Sequence, residues 1–544
     1  MAFNLIEKPW IPVRTLSGRE LIITPSEITK DYETDPVAEL NAARPDFNGA
    51  LIQFLIGLVQ TCAAPKDEFE WEEKLENPPV PEELHKAFST VVHAFDLDGE
   101  GPRFMQDLEL DAGETKPISA LLIESPGGKT LRDNADHFVK RGMISAICNR
   151  CSAAALFALQ TNAPGGGVGH RTSLRGGGPL TTLVLGTDKV LWQTVWLNTL
   201  PNQSFLKATS ANVRLTDDSC LFPWLGPTRT SELRGGRSTT PLDAHPVQVF
   251  WGMPRRIRLD FARTLPPGCC DICHSPERVL VRWYTTKNYG VNYEGAWRHP
   301  LTPYSRNEDG FPLPRHAQPG GISYRHWIGL VQEDLGSKSE VATVVHEFRT
   351  NRQNDETAFR LWAFGFDMDN MKARCWYEST MPLIEVRKDL RSDYEHLTAD
   401  LISAATAVAG NLVKATKWAL YGQVKEVKRN GEIRWEIRKK ASKQDLNLFQ
   451  SLSDRFWRNT EPSFYQTLNE LRQALEKGSD HKPTRRHWHT ILCDQSLKLF
   501  DECLLGSPIE DADPKRIALA RISLQKFNRS KKITEDLLKL QPAG

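Results

Sequence analysis

Two CxxC pairs, Cys148-Asn149-Arg150-Cys151 and Cys270-Asp271-Ile272-Cys273, stand with residues 152 to 269 between them. Each pair can present two thiolates to one cation, and two pairs complete the tetrahedral set of a structural zinc site. The spacing exceeds that of a local zinc ribbon. A shared ion therefore requires a fold that returns the chain to its own earlier segment. Two separate surface thiol pairs, or a redox CxxC, are the alternatives. A redox motif is expected once, at a helix start after a strand, so the paired pattern favours zinc. Cys269 and His274 adjoin the second pair and could substitute as ligands. Four thiolates leave no open position for water, which makes such a site structural and not catalytic.

The remaining cysteines, Cys62, Cys220, Cys375, Cys493 and Cys503, lie in apolar or irregular surroundings. No apolar run approaches the roughly 18 residues that span a bilayer, and the first residues lack a charged-then-apolar signal pattern. The expected location is cytoplasmic, with no membrane partner. The 544 residues exceed one ordinary core, so two domains are expected. The 69 basic and 68 acidic residues leave a net charge of +1. A solitary DNA-binding protein is usually more basic. Any contact with nucleic acid must use localised positive charge, which favours a subunit over a free-standing binder.

Short β-like pieces and frequent Pro and Gly predict a large mixed α/β domain over residues 1–380. Trp10–Val13 and Leu21–Ile23 flank a turn and predict a hairpin. Residues 46–60 carry a polar start and a dense apolar run, as a buried helix does. Leu180–Leu185 and Val279–Tyr284 read as strands. Beyond Met381 glycine becomes scarce, and helical periodicity runs over 397–421, 464–477, 489–505 and 514–540. The fold class is thus α+β, with a C-terminal four-helix bundle over 381–544. An alternating stretch around Asn430-Gly431 predicts a hairpin between helices.

Half of the residues from Gly165 to Gly178 are glycine, with His170, Arg171 and Arg175 interleaved. Such a segment can take positive φ and bring bare backbone against another surface, and the basic residues suggest that the surface is anionic. A flexible loop is the alternative. No Walker loop is present: Ile123 stands where Pro126-Gly127-Gly128-Lys129-Thr130 would need its first glycine. No HExxH, GxSxG or catalytic Cys/His pattern appears, so no enzyme is expected. The ten Lys and Arg from Lys414 to Lys443, interleaved with Trp418, Tyr421 and Trp435, suit either a solvated face or a nucleic-acid or partner surface.

These features, in this order, resemble the CasA family, the large subunit of the type I-E CRISPR Cascade complex. The resemblance runs from Trp10-Ile11-Pro12-Val13 through Asn134–Phe138 and the first CxxC into Ala154–Phe157. It continues over Ala163-Pro164-Gly165, Leu174–Gly177, the second CxxC and Gly295–Pro300, and ends at Gly365–Ala373 before the helices. It implies a non-catalytic antiviral-defence subunit that recognises the protospacer-adjacent motif (PAM) in double-stranded target DNA from the minor groove. Such a subunit starts strand separation for R-loop formation and helps recruit a helicase–nuclease. Its implied cofactor is structural Zn2+ on Cys148, Cys151, Cys270 and Cys273. The DNA-binding positions that match are Gly166, Gly167, Gly169, His170 and Arg171 in the glycine loop. Lys287 matches a groove lysine, and Asn370, Met371 and Lys372 match a wedge that carries glutamine in the best-known pattern. Asn134 matches an element that docks on the guide RNA 5′ end and a backbone subunit, while the helices meet the small subunits. The rival readings are a zinc-dependent nuclease or deaminase-like enzyme, and a scaffold without DNA contact.

Overall fold

The computed structural model describes residues 2–540 except 111, 135, 210–213, 334, 335, 337, 353–358, 370, 371, 428–432, 438–441 and 505–512. The chain packs as two compact units. The first holds residues 1–319, 329–352 and 359–380, and is mixed α/β. The second holds 320–328 and the residues from Met381 onward, and is mainly helical.

The mixed unit is built on the buried helix Pro45–Cys62, whose apolar run leaves nearly every side chain inside. Phe54 sits at its centre, edge-on to Trp10, Phe95, Phe104, Phe157 and Trp251 at ring separations of 5.1–5.9 Å. Aromatic rings prefer this geometry because the positive edge of one meets the negative face of another. The expected N-terminal hairpin is present: Ile11–Thr15 pairs antiparallel with Glu20–Ile23, and Val37–Leu40 adds a third strand. Among the described residues the strands form two- and three-stranded sheets and no single large sheet.

One strand differs from expectation. It runs Trp283–Lys287, between Glu114–Pro117 and Arg256–Leu259, not over Val279–Tyr284. Val281 instead makes an isolated bridge with Ile147, because the preceding turn of the second CxxC pair holds that stretch against the first.

In the second unit, helices Arg391–Tyr421, Lys443–Glu476, Lys482–Leu504 and Pro514–Asn528 pack on one another. The second begins far before the expected Phe464 and runs through Pro462. Proline removes one helical hydrogen bond and usually ends a helix, but here Phe456 and Phe464 on either side are fully buried and hold the register. The last stops at Asn528, and a separate π-helical turn follows over Lys532–Leu537. Strands Gly422–Val427 and Ile433–Ile437 pair as the inserted hairpin; its tip lies outside the described residues. Residues 320–328 join this unit because Tyr324 is fully buried there. Its ring stacks on Phe464 at 4.3 Å, meets Trp457 at 4.9 Å, and its hydroxyl lies 2.7 Å from that of Thr460. Among the described residues no helix is long and apolar enough to cross a membrane.

Candidate metal centre and nucleic-acid interface

The fold brings the two CxxC pairs together. The sulfurs of Cys148, Cys151, Cys270 and Cys273 all lie within 4.8 Å of one another, and Cys148 Sγ is 3.7 Å from Cys273 Sγ. Zinc–sulfur bonds of about 2.3 Å in a tetrahedron place sulfurs about 3.8 Å apart, so the donor set fits one such ion. Cys148, Cys151 and Cys270 are buried, whereas Cys269 and His274 are exposed and stand outside the cluster. Crowding of the thiols has an electrostatic consequence. Hydrogen bonds from Cys148 and then Cys151 bring Cys270 down to about 6, and the same neighbours pull Cys273 down. The same crowded network raises Cys148 and Cys151, so the four thiols titrate as one set.

A carboxylate within the second pair stitches the two together. Asp271 Oδ2 accepts from the Ser145 and Ala146 backbone N–H groups at 2.7 and 2.9 Å and from the Ser145 hydroxyl at 3.0 Å. Ile147 and Val281 exchange backbone hydrogen bonds at 3.0 and 2.8 Å, and Arg150 pairs with Glu277. The sequence places Asp271 inside a CxxC, but nothing in the spacing signals its partners.

From this centre two elements run to one place. Cys148 caps the helix Asn149–Asn162, its sulfur accepting the Cys151 N–H at 3.4 Å. Alanine-rich and buried on most sides, this helix is a strut of about 21 Å at 1.5 Å per residue, and it leads into the glycine loop. Cys273 leads through Val281 into the strand Trp283–Lys287 and then to Asn288 and Tyr289. The two meet at Gly169. Its carbonyl accepts the Tyr289 N–H at 2.7 Å, and the Asn288 amide donates to the Val168 carbonyl at 2.7 Å. Gly169 has φ +78°, and a Cβ there would lie 2.9 Å from the Tyr289 ring.

Gly167 and Val168 form the exposed tip, Val168 being 73% exposed. Gly166 and His170 bridge its base. Lys287, half-exposed, stands next to Asn288 and 3.7 Å from Glu232. Arg171 Nε donates to the Ser231 hydroxyl at 2.7 Å. His170 contacts the Arg255 guanidinium; burial, and then the Arg255 and Lys116 charges, lower its pKa. Its imidazole is therefore neutral at pH 7 and adds no positive charge to the loop.

Arg175 departs from the expected anionic surface. It is 3% exposed, and its guanidinium donates to Thr181 Oγ1 at 3.1 Å, Thr302 Oγ1 at 3.0 Å and Gln53 Oε1 at 2.5 Å. Desolvation brings it down to about 10. A buried cation needs such acceptors, so this arginine anchors the loop from within. Gly178 is also structural, since a Cβ there would meet Met368 at 2.7 Å.

Asn370 and Met371 lie outside the described residues. The strands Arg360–Asp369 and Lys372–Pro382 flank them. Lys372 Nζ donates to Thr130 Oγ1 at 3.1 Å, and Arg374 is paired with the buried Asp367 at 2.7 Å. Asn134 takes φ +49°, and its side-chain oxygen accepts from Arg141 at 2.9 Å, which is the behaviour of a turn-forming asparagine. In the helical unit Trp418 and Trp435 stack on each other at 5.4 Å, and Lys414 and Lys417 lie over the Trp418 and Phe449 rings. These tryptophans are thereby occupied in docking the inserted hairpin and do not form an open stacking surface.

The model of the family described as CRISPR-associated protein Cse1 matches residues 4–499. The chain belongs to the Cse1 family. Cse1 and CasA are two names for one family, as the solved "Thermus thermophilus CasA (Cse1)" shows, so the ordered motifs and the family model agree. The chain is similar over 97% of its length to a crystal structure of CasA from Thermus thermophilus, with 99% of that chain covered, a TM-score of 0.69 and 17% identity. Cse1 from Acidimicrobium ferrooxidans matches with a TM-score of 0.67 and 17% identity, 99% of both chains being covered. A chain of a structure titled "CRISPR RNA-guided surveillance complex" matches with a TM-score of 0.67 and 16% identity, covering 97% of this chain and all of that one.

Proposed function

We propose that this Cse1-family chain is the non-catalytic large subunit of an RNA-guided surveillance complex, and that Gly166–Gly169 and Lys287 form its PAM-reading edge. The observation that carries the reading is the convergence at Gly169. Two elements that start from one four-cysteine centre end side by side, one on an exposed glycine tip and the other on an exposed lysine. A minor groove about 6 Å wide admits bare backbone more readily than bulky side chains, and Lys287 supplies the charge that a phosphate-lined groove attracts. Minor-groove patterns are degenerate, so several related motifs should be accepted.

Zinc is the metal that the donor set suits. Bound by four thiolates it supplies cross-linking and no reactive water. Asp271 and the Ile147–Val281 bridge then hold the two knuckles in register. Arg171, fixed by Ser231, flanks the loop, and Lys372 follows residues 370–371, the segment that would begin strand separation. Asn134 lies in the segment assigned to the guide RNA 5′ end and backbone subunit. The helical unit, read as a four-helix bundle, would meet the small subunits, and the assembled complex would recruit a helicase–nuclease.

The test is Gly169→Asp in the assembled complex, measured by binding to a PAM-containing duplex. Assembly should be retained and PAM-dependent binding lost. Wild-type affinity would remove the glycine loop from recognition.

A further inference from the structure

Beside the glycine tip lies a loop that neither the sequence motifs nor the family resemblance singled out. It runs Thr230-Ser231-Glu232-Leu233-Arg234-Gly235-Gly236-Arg237. Its two ends are closed by the Arg237 N–H donating to the Thr230 carbonyl at 3.0 Å. Gly235 takes φ +77°, and Gly236 abuts the Glu232 backbone so closely that a Cβ would sit 2.2 Å from the Glu232 carbonyl oxygen. The chain is thus bent tightly back on itself, and the bend pushes Leu233 outward. Leu233 is 92% exposed, the highest value among the exposed large apolar side chains described.

The loop is fastened to both halves of the proposed reading edge. Ser231 accepts from Arg171, its N–H donates to the Tyr289 carbonyl at 3.1 Å, and its hydroxyl donates to the Gly290 carbonyl at 2.8 Å. Glu232 stands 3.3 Å from Arg256 and 3.7 Å from Lys287. The carboxylate of this loop is therefore taken up by two cations. Arg234 and Arg237 are exposed and make no ion pair with any described residue. What remains facing outward is an apolar side chain followed in the chain by two uncompensated guanidinium groups, at 234 and 237, and one residue from the partner of Lys287.

We infer that Thr230–Arg237 is a third contact element for duplex DNA, with Leu233 packing on the sugars or base edges of the groove and Arg234 on a backbone phosphate. The inference rests on the glycine-loop reading above and extends it. An exposed leucine has no favourable role in water, but apolar side chains pressed against a groove wall or a base step are a recurrent device of minor-groove proteins. The exposed Arg234 and Arg237 fit a polyanion, and the fastening to Arg171, Tyr289 and Lys287 makes the element continuous with that edge.

The experiment uses the assembled complex and a PAM-containing duplex, with Gly169→Asp as reference. Leu233→Ser should weaken binding about five- to tenfold with an unchanged salt dependence. Arg234→Ala should weaken it and reduce the slope of log K against log salt by about 0.9, the signature of one lost phosphate contact. Leu233 is so exposed that its replacement leaves the core intact, and an unchanged melting temperature checks this. If Gly169→Asp abolishes binding while both loop variants bind as wild type, the inference falls and the glycine reading stands. If Gly169→Asp binds normally, the glycine reading itself falls. Loss of assembly in the loop variants, with no specific loss of DNA affinity, would make this a protein-docking loop and overturn the inference.

Discussion

Replacing Gly167 and Gly169 separately by alanine separates backbone strain from steric contact within one loop. Both residues have positive φ, +56° and +78°. Each alanine should therefore cost about 1–2 kcal/mol in that conformation. At Gly167 a Cβ meets nothing within 4 Å, so the cost ends there. At Gly169 it would lie 2.9 Å from Tyr289 Cδ1 and 3.0 Å from Asn288 Cβ. Both neighbours are fastened, by the Tyr289 N–H to Gly169 bond and the Asn288 amide to Val168 bond. Displacing one of them forfeits a hydrogen bond worth about 1 kcal/mol. Gly169→Ala should thus exceed Gly167→Ala by about 1 kcal/mol, or roughly fivefold in duplex affinity. Amide hydrogen exchange in the free protein reads the same event at its source: Gly169→Ala should deprotect the Tyr289 N–H, and Gly167→Ala should not. Equal protection in the two variants, or a larger affinity loss at Gly167, would refute the steric argument.

Elemental analysis should find one zinc per chain, and Cys273→Ser should lower both the metal content and the melting temperature; four freely titrating thiols without metal would reject the centre. Tyr324→Ala should destabilise the helical unit by about 3–5 kcal/mol, whereas Tyr324→Phe should lose about 1 kcal/mol for the Thr460 bond, read by denaturant unfolding; equal effects would mean that the ring is not the anchor. Stability should also depend on pH through His299, which is buried and held well below the ordinary histidine value by desolvation and then by the Arg175 charge. The unfolded chain takes up a proton near pH 6.5 and the fold does not, so this contribution is whole above that pH and falls by about 1.4 kcal/mol per unit below it. His299→Gln should flatten that part of the profile, and an unchanged slope would remove His299 as its source.

Much of the metal centre was legible because cysteine chemistry depends on residue type and pairing, and Cys148, Cys151, Cys270 and Cys273 meet as the pattern implied. The buried helix and the first hairpin were legible for a similar reason, since apolar period and turn residues act locally. The failures were tertiary. Arg175 reads as a loop cation, yet Gln53, Thr181 and Thr302 from distant segments draw it inward. The helix expected over 464–477 begins at Lys443, because burial on both sides of Pro462 carries it through the proline. Trp418 and Trp435, in a run that reads equally as a solvated face or as a nucleic-acid or partner surface, stack on each other instead of standing open. Leu233 gave no signal, because a single exposed leucine differs from a buried one only once the fold is known.

The Asp271 clasp has a consequence for biogenesis. A zinc finger's ligands are near neighbours in the chain, so its ion can nucleate the fold around itself. Here the first knuckle must wait for more than a hundred further residues to be synthesised and organised before its counterpart exists. Asp271 and the Ile147–Val281 bridge can mate the two halves by protein contacts alone, so bringing the knuckles together does not require an ion first.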